Sequence, residues 1–337
     1  MNELKSTIII LATLVVFLTS CEKDFDFNSQ YESGIAIYSL VMPGEPFTLS
    51  VSRSFSVNDN PVVIYSHYSE YYSEIDSLYR SEIVIKDATA EVIVNGADKY
   101  SLHYDETKPY VYVCDYIPKE GDNIAITVNA AGYKAISATA KVEKAQKVEI
   151  VKTEVVYKEN GYDGSTIMVN PLFKYGVDSV MLITMRLNDP VGEHNFYRLK
   201  VRGVAEGEEV IVGSITRRFY SLCDVFDSDD IIFADNQLTK PFGDWKAGFS
   251  NVFDDHLFNG QSYTFTVESR KRYCDNPRVI VELETISQDL YYFLKSYQVF
   301  RISTDDVYMN PIGLYSNIVN GWGIFGTLSY DRHIIYY

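Results

Sequence analysis

Carboxylates are the side chains of this chain best placed to do chemistry, and one stretch concentrates them. Asp224, Asp227, Asp229, Asp230 and Asp235 fall close together, with Asp244 and then Asp254-Asp255-His256 further on. Several carboxylates in a short loop can hold Ca2+, a hard cation satisfied by oxygen ligands. Asp224, Asp227, Asp229 and Asp230 form the weak calcium candidate. Their spacing departs from an EF-hand, because no Gly marks a sharp turn and no Glu closes the loop. Charge runs are usually solvated, so the reading taken is an exposed acidic loop with no metal. Asp254-Asp255-His256 has the residue types for a metal or for acid–base work. Phe253 before it and Phe258-Asn259-Gly260 after it instead mark a structured turn between strands.

Other constellations are thinner. The histidines are His67, His103, His194, His256 and His333, and none has His-Glu-x-x-His spacing. No Gly-x-Ser-x-Gly elbow presents a nucleophile, so no catalytic residue is assigned and the chain is read as a non-enzyme. Gly321-Trp322-Gly323-Ile324-Phe325-Gly326 spells a dinucleotide fingerprint. That fingerprint needs a helix after it and an acid about 20 residues on, and here the chain runs out in what reads as another strand. The glycines are expected to permit tight bends and close backbone approach, and no cofactor is expected. Cys114, Cys223 and Cys274 show no CxxC or zinc spacing. Cys223 and Cys274 both fall in the second half and are the candidate disulfide; three small buried thiols are the alternative.

The fourth cysteine belongs to a different chemistry. Lys5, an apolar run from Ile8 to Leu18 and then Leu18-Thr19-Ser20-Cys21 form a secretory signal, too short to span a bilayer. The ending resembles a bacterial lipobox, in which the Cys21 thiol is lipidated and becomes the new N-terminus. Removing residues 1–20 deletes one acid, Glu3, and one base, Lys5, so the net charge stays at −16. A chain this acidic repels nucleic acid and anionic lipid surfaces. Membrane attachment therefore falls to acyl chains, at ~0.8 kcal/mol per buried CH2.

The elements that carry these residues read as strands. Residues 22–32 are a polar, acidic tether. Ile35–Val41 precedes a turn at Met42-Pro43-Gly44, and Phe47, Leu49 and Val51 then alternate with polar residues. Val92 and Val94 lead into Asn95-Gly96, the strongest short hairpin signal, with Tyr100–Tyr104 returning. Tyr110–Cys114, Ile124–Val128 and Ala135–Val142 follow, a spacing that predicts an immunoglobulin-like sandwich over residues 33–146. Residues 57–80 interrupt it with Tyr65, Tyr68, Tyr71, Tyr72 and Tyr79, a candidate contact patch, since tyrosine offers large contact area at low entropic cost. A second β-rich domain is expected over 147–337, with strands at Met181–Leu187, Tyr197–Val201 and Tyr263–Val267. One helix is expected in it, capped by Ser287 and striped by Leu290, Phe293, Leu294 and Tyr297. The fold class is mainly β, with no regular β–α alternation.

Several segments together are similar to a Bacteroidota lipoprotein family, domain of unknown function 4249. They include Asp87–Val92, Pro118–Asp122, Ala131–Ala138, Phe253–Gly260, Val281–Ser287 and the ending Asn310-Pro311, Tyr315–Asn317 and Asn320–Gly326. The resemblance implies a lipoprotein anchored in the outer membrane, facing the periplasm or the cell surface, with an N-terminal immunoglobulin-like domain. It also implies a link to TonB-dependent transporters, and it carries no catalytic residues over. Glu22, Asp24 and Asp26 resemble an export signal to the outer face, or serve only as a soluble tether. The expected role is a non-enzymatic binding or accessory protein. A structural or adhesive surface module and a hydrolase of unrecognised type are the alternatives.

Overall fold

The computed structural model describes residues 33–54, 83–107, 110–159, 177–204, 209–212, 215–218, 226–235, 248–270, 278–305 and 313–336. The architecture is mainly β with one long helix. Strands β1 (Ile35–Val41) and β2 (Thr48–Arg53) pair antiparallel, and period-2 alternation sends Ile35, Ile37, Val41, Leu49 and Val51 inward. A hairpin of β3 (Thr89–Val94) and β4 (Asp98–Tyr104) follows. Its turn closes with the Ala97 amide donating to the Val94 carbonyl at 3.0 Å. Asn95 and Gly96 both hold positive φ, 52° and 71°, which is why Asn-Gly stands there. β5 (Tyr112–Val113), β6 (Asn123–Asn129) and β7 (Ile136–Lys141) complete the order β2-β5-β4-β3-β6-β7. Tyr112, 1 % exposed, ties this layer to the loop before β3: its hydroxyl donates to the Ile85 carbonyl and accepts from the Ala88 amide.

The second half begins with a long ribbon, β8 (Val148–Glu159) against β9 (Val177–Asn188), and continues with β10 (Phe196–Val204). A small hairpin of β11 (Glu209–Val212) and β12 (Ile215–Arg218) comes next, then β13 (Phe226–Asp227) and β14 (Val252–Asp254). β15 (Ser262–Arg270) and β16 (Arg278–Ile286) lead to helix α1 (Gln288–Asp305) and the last strand, β17 (Trp322–Tyr336). One sheet has the order β13-β15-β9-β8. It packs against β10 and β16 through Ile183, Met185, Phe265, Tyr197, Leu199, Val281 and Leu283, all of them buried. The strand alternations expected at Met181–Leu187 and Tyr197–Val201 are those that fill this core.

β17 joins the two halves. Its first part pairs parallel with β1, from Ala36 opposite Trp322 to Val41 opposite Thr327. Its second part pairs antiparallel with β16, from Ile286 opposite Leu328 to Arg278 opposite Tyr336. One strand therefore completes the layer of residues 33–146 and belongs equally to the sheet of the second half. Phe325 packs in the first core, while Ile324 and Leu328 face α1 on the other side. Ser287 sits where the helix begins, but its hydroxyl oxygen accepts the Thr327 amide at 3.1 Å, so it fastens the helix start to β17. Of the expected helical stripe, Leu290 is buried at 1 % exposure and Phe293 and Leu294 pack at the margin; Tyr297 is exposed. Among the described residues no helix is long and apolar enough to cross a membrane.

The glycine-rich motif is a packing device within this junction. A Cβ on Gly321 would stand 2.6 Å from the Ile35 carbonyl oxygen, and one on Gly326 2.9 Å from Leu290 Cβ. Gly323 has φ +102° and a Cβ there would meet the Ile37 oxygen at 1.9 Å. Only glycine lets β17 approach β1 and α1 this closely. Gly323→Ala should therefore cost at least about 3 kcal/mol through clash and strain, whereas Gly44→Ala, at φ +80° in open space, should cost about 1 kcal/mol. Chemical denaturation of the two variants checks the ranking, and equal losses would overturn it.

Candidate functional site

The acidic run and the Asp-Asp-His triplet are brought to the second core by different elements. β13 and the 3-10 turn Ile231–Phe233 place Asp227–Asp230 beside β15, around a cleft of about 550 Å3 also lined by Leu182 and Thr264–Glu268. Asp230 caps the turn: its Oδ1 accepts the Ile232 amide at 3.2 Å and the Tyr263 hydroxyl at 2.8 Å. Burial, with that bond second, pushes the Tyr263 hydroxyl up to about 12. Ser228 donates to the Thr266 carbonyl at 2.7 Å, which holds the segment onto β15. Asp235 pairs with Lys295 of α1, fixing the helix to this loop. Among the described residues no group of three or more His, Cys, Asp or Glu could hold a metal ion. The cleft is acid-lined and open, suited in charge to a polar or cationic guest.

The second constellation is the one sequence spacing did not show. The loop before β10 brings His194 to Asp254 and Asp255, some 60 residues later, at the end of β14. His194 Nε2 lies 3.4 Å from Asp255 Oδ1 and 3.8 Å from Asp254 Oδ2. The imidazole is oriented by stacking on Phe196, with ring centroids 4.7 Å apart. His256 contacts Asp254 Oδ1 from the other side, and Tyr291 of α1 donates to Asp254 Oδ2 at 3.5 Å. Asp255 is fully buried, and its Oδ2 accepts the Asn195 amide at 2.8 Å and the Asn259 side chain at 3.0 Å. Next to it Asp189 accepts from the Tyr197 hydroxyl at 2.5 Å and the Gly260 amide at 2.8 Å. Two buried carboxylates thus pin the loop 189–195 to the turn 255–260. The triplet is a structured turn, as its flanking residues indicate. The pairing with His194 and Asp189 is invisible in one-dimensional spacing.

Burial is the main cause of a raised Asp255 carboxyl, opposed by the Asn195 amide and reinforced by repulsion from Asp189. Burial and the bond to Asp189 likewise hold the Tyr197 hydroxyl far above its ordinary value. His–Asp contacts supply two parts of an acid–base relay. Asp255 Oδ2 is committed to the Asn195 amide and the Asn259 side chain, whereas its buried Oδ1 has no hydrogen-bond partner among the described residues and faces His194.

Other residues singled out from the sequence lie outside the described residues: Cys21, Tyr65, Tyr68, Tyr71, Tyr72, Tyr79, Cys223, Cys274, Asp224 and Asp244. Cys114 is described, half-buried and in the free thiol form. A family model described as a domain of unknown function, DUF4249, matches residues 22–334. The chain belongs to this family. A search of the curated proteins finds no match to it.

The buried carboxylate of this DUF4249 member makes a signed prediction. Its folded-state pKa lies above the unfolded value of about 3.9, so ionised Asp255 weighs against folding at neutral pH. That penalty disappears as the pH falls through the raised folded value toward about 4. Asp255→Asn keeps an acceptor for Asn195 and should equal or exceed the natural chain in stability at pH 7, the two converging toward pH 4. Asp255→Ala leaves two donors without an acceptor and should cost about 2 kcal/mol at every pH. Denaturant midpoints across pH 4–8 separate the cases; a destabilised Asn variant at pH 7 would contradict the assignment.

Proposed function

We propose that this chain is a lipid-anchored outer-membrane protein that acts by binding, as an accessory to a larger partner, rather than by catalysis. The observation that carries the reading is positional. The family match opens at residue 22, immediately after Cys21, so the matched region begins where processing at a lipobox cysteine would start the chain. Acylation at Cys21 would hold two β layers away from the bilayer on the tether 22–32. The acidic surface would not bind the anionic headgroups itself.

The committed carboxylates support binding over chemistry. Asp189, Asp230, Asp235, Asp254 and Asp255 each hold a turn, a helix or a loop in place. A chain tethered to the outer membrane, with Tyr38, Tyr292, Tyr297, Tyr330 and Tyr336 exposed, suits a partner fixed in the same membrane. A TonB-dependent transporter is the partner the family resemblance points to. Its cargo would be met at loops or sheet edges.

The anchor is tested first, because every other part of the reading depends on it. Cells fed an alkyne-tagged fatty acid should label the natural chain, and Cys21→Ser should abolish the label and move the protein out of the membrane fraction. Co-purification from detergent should then recover a transporter with the natural chain. A Cys21→Ser chain that stays labelled and membrane-bound would overturn the anchor. A labelled chain that recovers no outer-membrane transporter would overturn the partnership alone.

A further inference from the structure

Helix α1 covers only one end of the outer face formed by β10, β16 and β17. There Phe196, Ile286, Ile324 and Leu328 pack with Leu290 of the helix. Beyond the helix the same face is open. Alternation along β17 turns Tyr330, Arg332, Ile334 and Tyr336 outward, with Asp331, His333 and Ile335 more covered between them. Their partners on β16 are Glu284, Glu282, Ile280 and Arg278, and Arg198 and Lys200 of β10 stand beyond. Tyr330, Ile334 and Tyr336 are all exposed, Tyr336 to 67 %, in a row about 20 Å long at about 3.4 Å per residue. The charge that this row shows to water is positive, although the whole chain carries −16. Glu282 and Glu284 are the acids here, and their side chains are only 5 % exposed, against 46 % for Arg332. Arg278 is half-buried, and its Nε has no hydrogen-bond partner among the described residues. A covered guanidinium donor of this kind calls for an acceptor.

Both features ask for the same occupant. We propose that this face docks an extended, acidic segment of a protein partner, with Arg332 and Arg278 holding its carboxylates while Tyr330, Ile334 and Tyr336 pack against the side chains between them. The proposal rests on the reading that the chain acts by binding, and it supplies the chemistry of the contact. Guanidinium groups match carboxylates in geometry as well as charge. Arg278 sits opposite Tyr336, four residues along from Arg332, so the two positions are about 14 Å apart. An extended segment spans that distance with acids at i and i+4. A helix would bring the same two acids within about 6 Å along its axis and reach only one arginine. Ile334 and Ile280 in the middle of the row favour apolar side chains over a glycan, whose hydroxyls would lose water there without gaining partners. Tyrosine and arginine are also the residues enriched at the centres of protein interfaces. The remaining surface of an acidic chain repels an acidic segment within the screening length of about 8 Å, which disfavours other seatings.

The probe is a fluorescein-labelled peptide of repeated Glu-Leu-Thr-Ser units, which sets an acid at every fourth residue; the same peptide with Gln for Glu is the control. Anisotropy with the full-length chain at physiological ionic strength should show the acidic peptide bound at least about tenfold more tightly than the control. Ile334→Glu changes an exposed position and leaves the buried ion pairs intact, and it should weaken binding about tenfold, as should Arg278→Gln. Val191→Glu, on the exposed loop before β10, should leave binding unchanged. The proposal is overturned if the two peptides bind alike or if Ile334→Glu binds as the natural chain does. It is also overturned if polygalacturonate displaces the peptide at a lower carboxylate concentration than unlabelled peptide, since the face would then be a glycan site. Co-purification from detergent separates this proposal from the wider reading. Ile334→Glu should lose the transporter that the natural chain recovers. Equal recovery by both would overturn this face and leave the partnership standing, whereas no recovery by the natural chain would overturn the partnership and leave the face to be decided by the peptide.

Discussion

The parallel contact between β1 and β17 is the constraint on which the remaining structure depends. Parallel strands cannot be joined by a tight turn, and here the chain between the first and last strands of the described fold forms the connection. The meeting has little tolerance, since Gly323 lies against the Ile37 carbonyl with no room for a Cβ. Once formed, it fixes three things together. It closes the N-terminal layer over Phe325, aligns β16 through the other half of β17, and gives α1 a surface at Ile324 and Leu328. Thr327 and Ser329 extend the fastening by donating to the carbonyls of Lys141 and Glu143 at the end of β7. The two halves of the chain are thus held by a shared strand, a stronger link than surface contact between separate units.

Beyond the helix, the outer face of the same sheet is held by charge. Glu284 on β16 is 4 % exposed and pairs with Arg198 and Lys200 of β10, the latter at 2.6 Å. Glu282, equally buried, accepts from Arg332 Nε of β17 at 2.7 Å, and Arg332 lies over the Tyr330 ring. Buried ion pairs add little net stability, because desolvation consumes most of the attraction. Their strength is in register. A slip of one residue would turn every one of these charges into the core filled by Leu199, Val281 and Leu283. Charge on one face and branched apolar residues on the other define the same alignment of β10, β16 and β17.

What could be read along the chain is what is local. The alternations at Ile35–Val41, Met181–Leu187 and Tyr197–Val201, and the Asn95-Gly96 turn, follow from side-chain direction and backbone sterics over a few residues. The structure has each where the pattern put it. The helix was legible from its spacing, but Ser287 was legible only in part. Its position was right, while its hydroxyl serves Thr327, some 40 residues away. The glycine motif was readable as a request for close approach, but not whose backbone approaches. The least legible feature was the His194–Asp255 contact, because a single histidine among polar loop residues carries no period and no motif. Its Phe196 platform is merely the first apolar residue of β10.

The same distinction explains why charge in this protein says more about order than about chemistry. A chain with a net charge of −16 must place many carboxylates where they do not repel one another. Among the described residues, the buried Asp189, Asp255, Glu282 and Glu284 each have a donor. Asp122 accepts from Tyr116, Asn95 and the Lys119 amide, and those donors hold its carboxyl below the ordinary value even against burial. Asp255 has fewer donors and a like-charged neighbour, and its carboxyl moves the other way. A carboxylate tied into its own turn is poorly suited to hand protons to a substrate, since motion toward the substrate would release the loop it holds. The apolar side chains left open to solvent are on the periphery, among them Val191, Leu257 and Tyr336.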